Sequence, residues 1–123
     1  MNKRTSMVFL LAAVAMPAYA ELVEITWDAR GGLERQVRIA PNGFVELCGR
    51  LRPNDRVRWQ FEGDVPVDFN IHFHEGKAVR YPTKEEGVAK SQGLLEVASE
   101  QDYCWMWSNS AARPAAMTVR LNR

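Results

Sequence analysis

The stretch VRWQFEGDVPVDFNIHFHEG, residues 57–76, carries the clearest pattern in this chain. Apolar side chains occupy every second position on both sides of a central GDVP: Val57, Trp59, Phe61, Val67, Phe69, Ile71 and Phe73. A period of two is typical of a β-strand with one buried face. Gly63 and Pro66 lie between the two runs and favour a turn. The stretch therefore predicts two strands joined by a turn, each with one face in the core.

Similar short runs extend on both sides of this stretch. We predict strands at 23–27, 33–39, 44–48, 77–81, 94–98, 103–108 and 115–121, with Pro41-Asn42-Gly43 as a hairpin turn. Residues 82–93 are polar and contain Pro82, Gly87 and Gly93, which favours a loop or one short, weak helix. Eight or nine short strands with frequent turn signals predict an all-β chain. The expected fold is an antiparallel two-sheet β-sandwich with a single domain, residues 21–123.

Residues 1–20 have the three parts of a cleavable signal peptide. Lys3 and Arg4 precede an apolar run over residues 7–16, and Ala18-Tyr19-Ala20 forms a small-residue cleavage site. The run is too short for a membrane span, which needs about 20 apolar residues. An uncleaved anchor is the alternative. We expect a mature chain that begins at Glu21, has no transmembrane span and is periplasmic or secreted.

The charge of the chain argues against a nucleic-acid partner. The whole chain has a formal net charge of +1, and removal of Lys3 and Arg4 leaves about −1. Nucleic-acid binding depends on an excess of basic side chains that neutralise phosphates. The expected partner is therefore a protein or a small ligand.

Two cysteines, Cys48 and Cys104, both lie in the expected mature part. Small exported domains often depend on disulfides, and two cysteines allow one intrachain pairing. We predict a Cys48–Cys104 disulfide, which stabilises by about 4 kcal/mol at most on the chain-entropy estimate. The alternative is a pair of free thiols that act as metal ligands.

His72 and His74 are the only histidines, and they stand two positions apart in a predicted strand. Both imidazoles then share a face, opposite the apolar residues and so on the outer surface. If the strand that contains Met106 is adjacent, two imidazoles and a thioether form a ligand set that suits Cu(I). The alternative is a solvated polar face.

The segment YCWMWSN, residues 103–109, is rich in aromatic residues. Trp105 and Trp107 point to the same side as Tyr103. They either fill the core or line an aromatic groove for a sugar or an apolar ligand. No nucleophile elbow or phosphate loop occurs, so we expect no enzymatic activity.

From Cys48 onward the chain resembles the GOLD domain, the β-sandwich of p24-type cargo receptors and Sec14-like lipid-transfer proteins. VRWQF (57–61) resembles the W-F strand of the Sec14-like members, and VDFNIHFHEGKAV (67–79) resembles the next aromatic strand and its glycine turn. YCWMWSN resembles the Y-x-x-C-F-x-N segment. The resemblance implies a two-sheet sandwich, a Cys48–Cys104 disulfide and a binding role. The coiled coil, membrane helix and lipid-transfer domain of those relatives have no counterpart here, so cargo sorting is not implied.

These observations predict an exported, non-enzymatic binding module. The alternative function is periplasmic copper binding through His72, His74 and Met106.

Overall fold

The computed structural model describes residues 8, 10 and 20–123, so the predicted signal peptide, 1–20, lies almost entirely outside the described residues. Within the described part the chain forms seven strands: β1 (Ala20–Glu24), β2 (Gly32–Ile39), β3 (Phe44–Leu51), β4 (Arg56–Glu75), β5 (Ala78–Glu96), β6 (Gln101–Ser108) and β7 (Ala115–Asn122). They form one hydrogen-bonded sheet, and this part of the chain is all-β. None of the residues described belongs to a helix able to cross a membrane.

Strand β4 is the spine of this sheet, because it pairs with three other strands. Along one edge it pairs with β5. Along the other edge, residues 58–63 pair with β7 and residues 68–72 pair with β6. The ladder to β5 is interrupted between Glu62 and Val67, where β4 changes its partner. The sheet therefore has a first arm, in which β7 and β2 extend from β4, and a second arm, in which β6, β3 and β1 do so.

Aromatic side chains from the two arms meet in the core. Phe69 of the second arm lies 4.8 Å, between ring centroids, from both Trp59 and Phe61 of the first arm. Trp107 of β6 stacks on Phe69 at 5.5 Å. Aromatic pairs at such separations stabilise beyond the area that they bury, by about 0.5–1.5 kcal/mol each. The alternation in residues 57–73 thus predicts the inner face of both halves of β4.

The expectation of eight or nine short strands in two separate sheets is wrong in its count, since the described residues form seven. The predicted turn at 63–66 is a corner inside β4, and the predicted loop at 82–93 is part of β5. Pro82 and Gly87 lie at register shifts, where β5 has an extra residue opposite β4. Bulges leave that residue outside the ladder, so a missing N–H or a positive φ is tolerated. Gly87 has a φ of 64°.

Two further predictions about strand pairing need correction. The turn at Pro41-Asn42-Gly43 forms, with Asn42 at a φ of 60°, but it does not close a hairpin. It joins two arms, because β2 pairs with β7 and β3 pairs with β6. In addition, β1 pairs with β3 in parallel, so the sheet is not wholly antiparallel.

Asn109 fastens this turn to the loop after β6. Its side chain is buried and donates hydrogen bonds from Nδ2 to the carbonyl oxygens of Ile39, at 3.1 Å, and Arg113, at 2.9 Å. Its Oδ1 accepts a hydrogen bond from the backbone N–H of Ala111 at 2.9 Å. One amide therefore satisfies backbone groups from two segments that are distant in sequence.

Candidate functional site

The outer face of the second arm carries two adjacent rows of side chains that the strand registers define. The first row crosses β3, β6 and β4 with Cys48, Cys104 and His72. The second row crosses β3, β6, β4 and β5 with Glu46, Met106, Asn70 and Lys84. Strand β6 is thus adjacent to the histidine strand, and this was the condition for placing Met106 near His72.

The structure joins Cys48 and Cys104 in a disulfide between directly opposed residues of β3 and β6. Their Cα atoms are 4.1 Å apart. No cysteine in the described residues is free. The sulfur atoms are therefore not available as thiolate ligands in this oxidised state.

His72 is buried, whereas the alternation predicted an exposed outer-surface residue. Only 6% of the residue is accessible, and its neighbour His74 is exposed. Side chains from other strands cover the ring: Glu46 reaches it across β6, and Tyr81 of β5 lies 6.0 Å from it between ring centroids. Tyr81 lies at the bulge opposite His72. The outer face of β4 is therefore not exposed to solvent at His72, because side chains from neighbouring strands cover it.

Both ring nitrogens of His72 face an oxygen. Nδ1 lies 2.7 Å from Oδ1 of Asn70, and Nε2 lies 3.2 Å from Oε1 of Glu46. A neutral imidazole donates from only one nitrogen, so the protonated ring would satisfy both acceptors. Burial has the opposite and larger effect and lowers the pKa of His72 below 6.5. The charge of Glu46 raises this pKa, and His74 lowers it.

A small exposed surface lies beside His72, and we name it the Tyr81 patch: His74, Val79, Tyr81 and Lys84. Tyr81 is 49% exposed and Val79 is 38% exposed. The Nζ atom of Lys84 lies 5.0 Å above the Tyr81 ring, whose other contact is His72. Tyr81 is the one aromatic residue among the large exposed hydrophobic side chains of the described residues. The patch thus presents an exposed aromatic ring beside cationic and imidazole groups.

The outer face of the first arm is different. A depression of about 600 Å³ is lined by both polar and apolar side chains, and Arg58, Gln60 and Arg120 are among the polar ones. Arg120 forms an ion pair with Glu34 at 3.4 Å, and Trp59 is only 6% exposed at the base. This surface therefore offers no exposed aromatic ring among the residues described.

Trp105 and Trp107, considered above for an aromatic groove, have no accessible surface. Both lie in the core, where Trp107 also contacts Phe61 at 5.8 Å between ring centroids. A ligand cannot reach either ring on the surface of this structure. Tyr81, which is exposed, is the last residue of the predicted strand 77–81.

The structure places the three predicted copper ligands on one face. Met106 lies opposite Asn70 on the adjacent strand, two residues from His72, and is half-buried. The rings of His72 and His74 lie 5.5 Å apart between centroids. Glu46, which is not among the predicted ligands, lies with its Oε1 atom 3.2 Å from Nε2 of His72. Its acidic side chain in the apolar strand 44–48 was the available signal.

Comparisons with known proteins show similarity to solved structures alone. No protein-family model matches the chain, and no curated protein matches it. The structure of PliG from Aeromonas hydrophila, a periplasmic lysozyme inhibitor of g-type lysozyme, is similar with a TM-score of 0.68 and 10% identity. The match covers 86% of this chain and 98% of that one.

Two other inhibitors of g-type lysozyme give weaker matches. PliG from Salmonella Typhimurium has a TM-score of 0.55 and 9% identity, with 83% of this chain and 96% of that chain covered. A PliG mutant from Escherichia coli has a TM-score of 0.54 and 7% identity, with 84% and 97% covered. At such identities the likeness concerns the fold. The GOLD resemblance stays a prediction.

Proposed function

We propose that this chain is an exported, non-enzymatic protein-binding module that inhibits a lysozyme of the g type. The observation that carries the proposal is the fold, which matches 98% of the Aeromonas hydrophila inhibitor with a TM-score of 0.68. Similarity over nearly the whole of a small inhibitor supports a similar binding role. Function depends on the site as well as on the fold. Inhibition of an enzyme also requires a surface on this protein that suits a protein partner.

Export is supported by two features of the chain. The predicted signal peptide, 1–20, would direct it across the membrane, and the disulfide suits an oxidising compartment such as the periplasm. Cleavage after Ala20 would leave Glu21–Glu24 to pair with β3. The mature chain would then reach the compartment in which lysozymes meet the bacterial cell wall.

The Tyr81 patch is the surface that best suits a protein partner. Tyrosine is enriched among residues that dominate binding energy at interfaces. Contacts with His72 and Lys84 hold the Tyr81 ring before any partner binds. A side chain that is already ordered loses less entropy on association, which favours affinity.

The charges of the patch also suit a lysozyme. Glycoside hydrolases generally use a pair of carboxyl groups on either side of the bond that they cleave. The Nζ atom of Lys84 lies 5.0 Å above the Tyr81 ring and can donate charge-assisted hydrogen bonds to carboxylates. We therefore propose that the partner contacts Tyr81 and Lys84 through an acidic, concave surface.

An inhibition assay tests this proposal directly. The purified protein is added to a g-type lysozyme, and lysis of bacterial cell walls is measured together with binding by calorimetry. We expect inhibition with one inhibitor bound per enzyme. Tyr81→Ala should weaken binding by about 2 kcal/mol or more, the loss typical of a central aromatic at an interface, which is about 30-fold in affinity.

The matched control is Gln60→Ala, an exposed change on the outer face of the first arm that should leave inhibition unchanged. A c-type lysozyme measures whether inhibition is selective. If neither enzyme binds the protein, the proposed function is wrong. If the g-type enzyme is inhibited equally by both variants, inhibition stands and the Tyr81 patch is not its surface.

Copper binding is a second candidate function, supported by the adjacency of β6 and β4. That adjacency brings Met106 to the face that contains His72 and His74. Titration of the oxidised protein with Cu(I) and Cu(II) tests it. Binding that disappears in the His72→Ala/His74→Ala double variant would support it, and an unchanged tryptophan fluorescence without binding would remove it.

A further inference from the structure

Two side chains that can bind a metal ion, His72 and Glu46, lie beside the disulfide. His72 is the cross-strand neighbour of Cys104, and Glu46 lies above the same part of β6. One ligand atom from each of Glu46, His72 and Cys104 lies within 4.8 Å of the other two. Cys48 is bonded to Cys104, so its sulfur belongs to the same group. Three donor side chains from three adjacent strands therefore converge, and the fourth, Cys48, is bonded to one of them.

We propose that reduction of the Cys48–Cys104 disulfide turns this group into a zinc site. A dithiol supplies two electrons and two protons, the sulfur–sulfur bond breaks to give two thiols, and the dithiol becomes a disulfide. Zn²⁺ then displaces the thiol protons and is held by Cys48, Cys104, His72 and Glu46. Two thiolates, one imidazole and one carboxylate are donors that zinc accepts in tetrahedral sites.

The geometry requires only small movements of three of the four ligands, Glu46, His72 and Cys104. Zinc bonds of about 2.0–2.3 Å place the donor atoms of a tetrahedral site roughly 3.3–3.8 Å apart. The His72, Glu46 and Cys104 atoms, already within 4.8 Å of one another, need to move by about 1 Å. The two sulfur atoms must separate to roughly 3.7 Å, which any reduced pair also requires.

The surroundings of His72 already have the form of a metal-ligand environment. Oδ1 of Asn70 can accept a hydrogen bond from Nδ1, which leaves the lone pair of Nε2 directed at Glu46. Many zinc-binding histidines are oriented in this way, by a hydrogen bond from the ring nitrogen that does not bind the ion to a carbonyl or carboxylate oxygen. The side chains of His72 and Glu46 are 7% and 16% exposed, so water competes little for the ion. The proposed zinc site thus replaces a covalent link between β3 and β6 with a coordinate one.

Zinc binding to the reduced protein tests the inference. The purified protein is reduced anaerobically with a phosphine and titrated with Zn²⁺ against a chromophoric chelator, with the oxidised protein in parallel. We expect one Zn²⁺ per reduced chain and no binding to the oxidised chain. With Co²⁺ as the probe, the reduced protein should show thiolate charge transfer and the intense visible bands of a tetrahedral ion.

Variants separate this site from unspecific thiol binding. Loss of a hydrogen-bond partner of a metal ligand already weakens metal affinity by about 10- to 100-fold, so loss of a ligand itself, in His72→Ala or Glu46→Gln, should weaken zinc binding by at least about 10-fold. His74→Ala, a change at the exposed histidine, is the matched control and should have no effect. Circular dichroism reports whether the reduced, zinc-loaded chain keeps its strands.

Three results would overturn the proposal. The reduced protein could bind no Zn²⁺, or it could bind equally well in the His72 and Glu46 variants, which would mean that thiols alone hold the ion. It could also lose its strand signal on reduction without recovering it when Zn²⁺ is added. Each result is independent of lysozyme inhibition, which is measured on the oxidised protein.

Discussion

The indole ring of Trp59 occupies the space that a side chain at Gly93 would need. The two residues are opposite each other on β4 and β5. A Cβ atom at position 93 would lie 2.5 Å from Cζ2 of Trp59. Since Trp59 packs against Phe69 in the core, the ring cannot move without disturbing both arms.

We therefore expect Gly93→Ala to destabilise the protein by overpacking, at about 1–3 kcal/mol. Urea unfolding followed by tryptophan fluorescence measures this loss. The matched control is Gly49→Ala, whose Cβ would be 3.4 Å from the side chain of Ile25, an ordinary contact distance. Equal midpoints for the two variants would show that Trp59 can give way at no cost.

Loss of the Asn109 side chain should weaken the attachment of the turn between the arms, which the backbone hydrogen bonds of residue 109 to Asn42 and Gly43 would still hold. Asn109→Ala leaves the carbonyl oxygens of Ile39 and Arg113 and the N–H of Ala111 without their partner. A buried polar group that loses its partner costs about 1–3 kcal/mol, so we expect a total on the order of 3 kcal/mol. The exposed Asn122→Ala should stay within about 0.5 kcal/mol of the wild type in the same denaturation experiment.

His72 should make stability depend on pH. Its folded-state pKa is below 6.5, mainly because burial disfavours the charged ring, so the unfolded chain binds the proton more readily. The contribution of His72 to the free energy of unfolding is fully present above pH 6.5. It is lost as the pH falls from there to the folded pKa, with no further loss below it. As the pH is lowered through this range, the urea midpoint of unfolding should decrease for the wild type and decrease less for His72→Gln.

The charged groups around His72 allow a sharper measurement. Glu46 raises the pKa of His72, so Glu46→Gln should move the imidazole titration in NMR to lower pH. His74→Gln removes a neighbour that lowers this pKa, and should move the titration to higher pH. Shifts in the reverse directions would contradict the assigned causes.

The disulfide should contribute a large part of the stability. Cys48 and Cys104 are 56 positions apart, and closure of such a loop is worth about 4 kcal/mol at most by chain entropy. The Cys48→Ala/Cys104→Ala double variant should lose roughly 2–4 kcal/mol in urea unfolding. The measurement is made with a chelator present, so that no metal contributes. An unchanged midpoint would mean that the arms hold β3 and β6 together without the link.

Much of the inner face could be predicted because alternation is a local property. Trp59, Phe61 and Phe69 are buried as their positions imply. The ends of the strands could not be predicted in the same way. Proline and glycine usually end a strand. Here Pro82 and Gly87 lie at bulges of β5, an edge strand, which accommodate them. These bulges arise from the pairing of β5 with β4.

The candidate site was less predictable, because its members come from separate strands. His72 and Glu46 are 26 positions apart in the sequence and meet across β6. Tyr81 lies beside His72 because β5 has a bulge at this position. The polar composition of residues 82–93 predicted a loop there, so neither the continuation of the strand nor its bulge could be predicted. The pairing of the cysteines was open to prediction since only two exist.

The order of residues alone determined which side chains turn towards the core and which two sulfur atoms could join, since successive residues of a strand point to opposite faces whatever its neighbours are. Only the tertiary structure decided which outward side chains meet. The corner at 63–66 gives each half of β4 a different neighbour, so β6, and not β7, lies beside His72. Adjacency between strands depends on packing of the whole core. For this reason the alternation within β4 predicted an exposed His72, although neighbouring strands bury it.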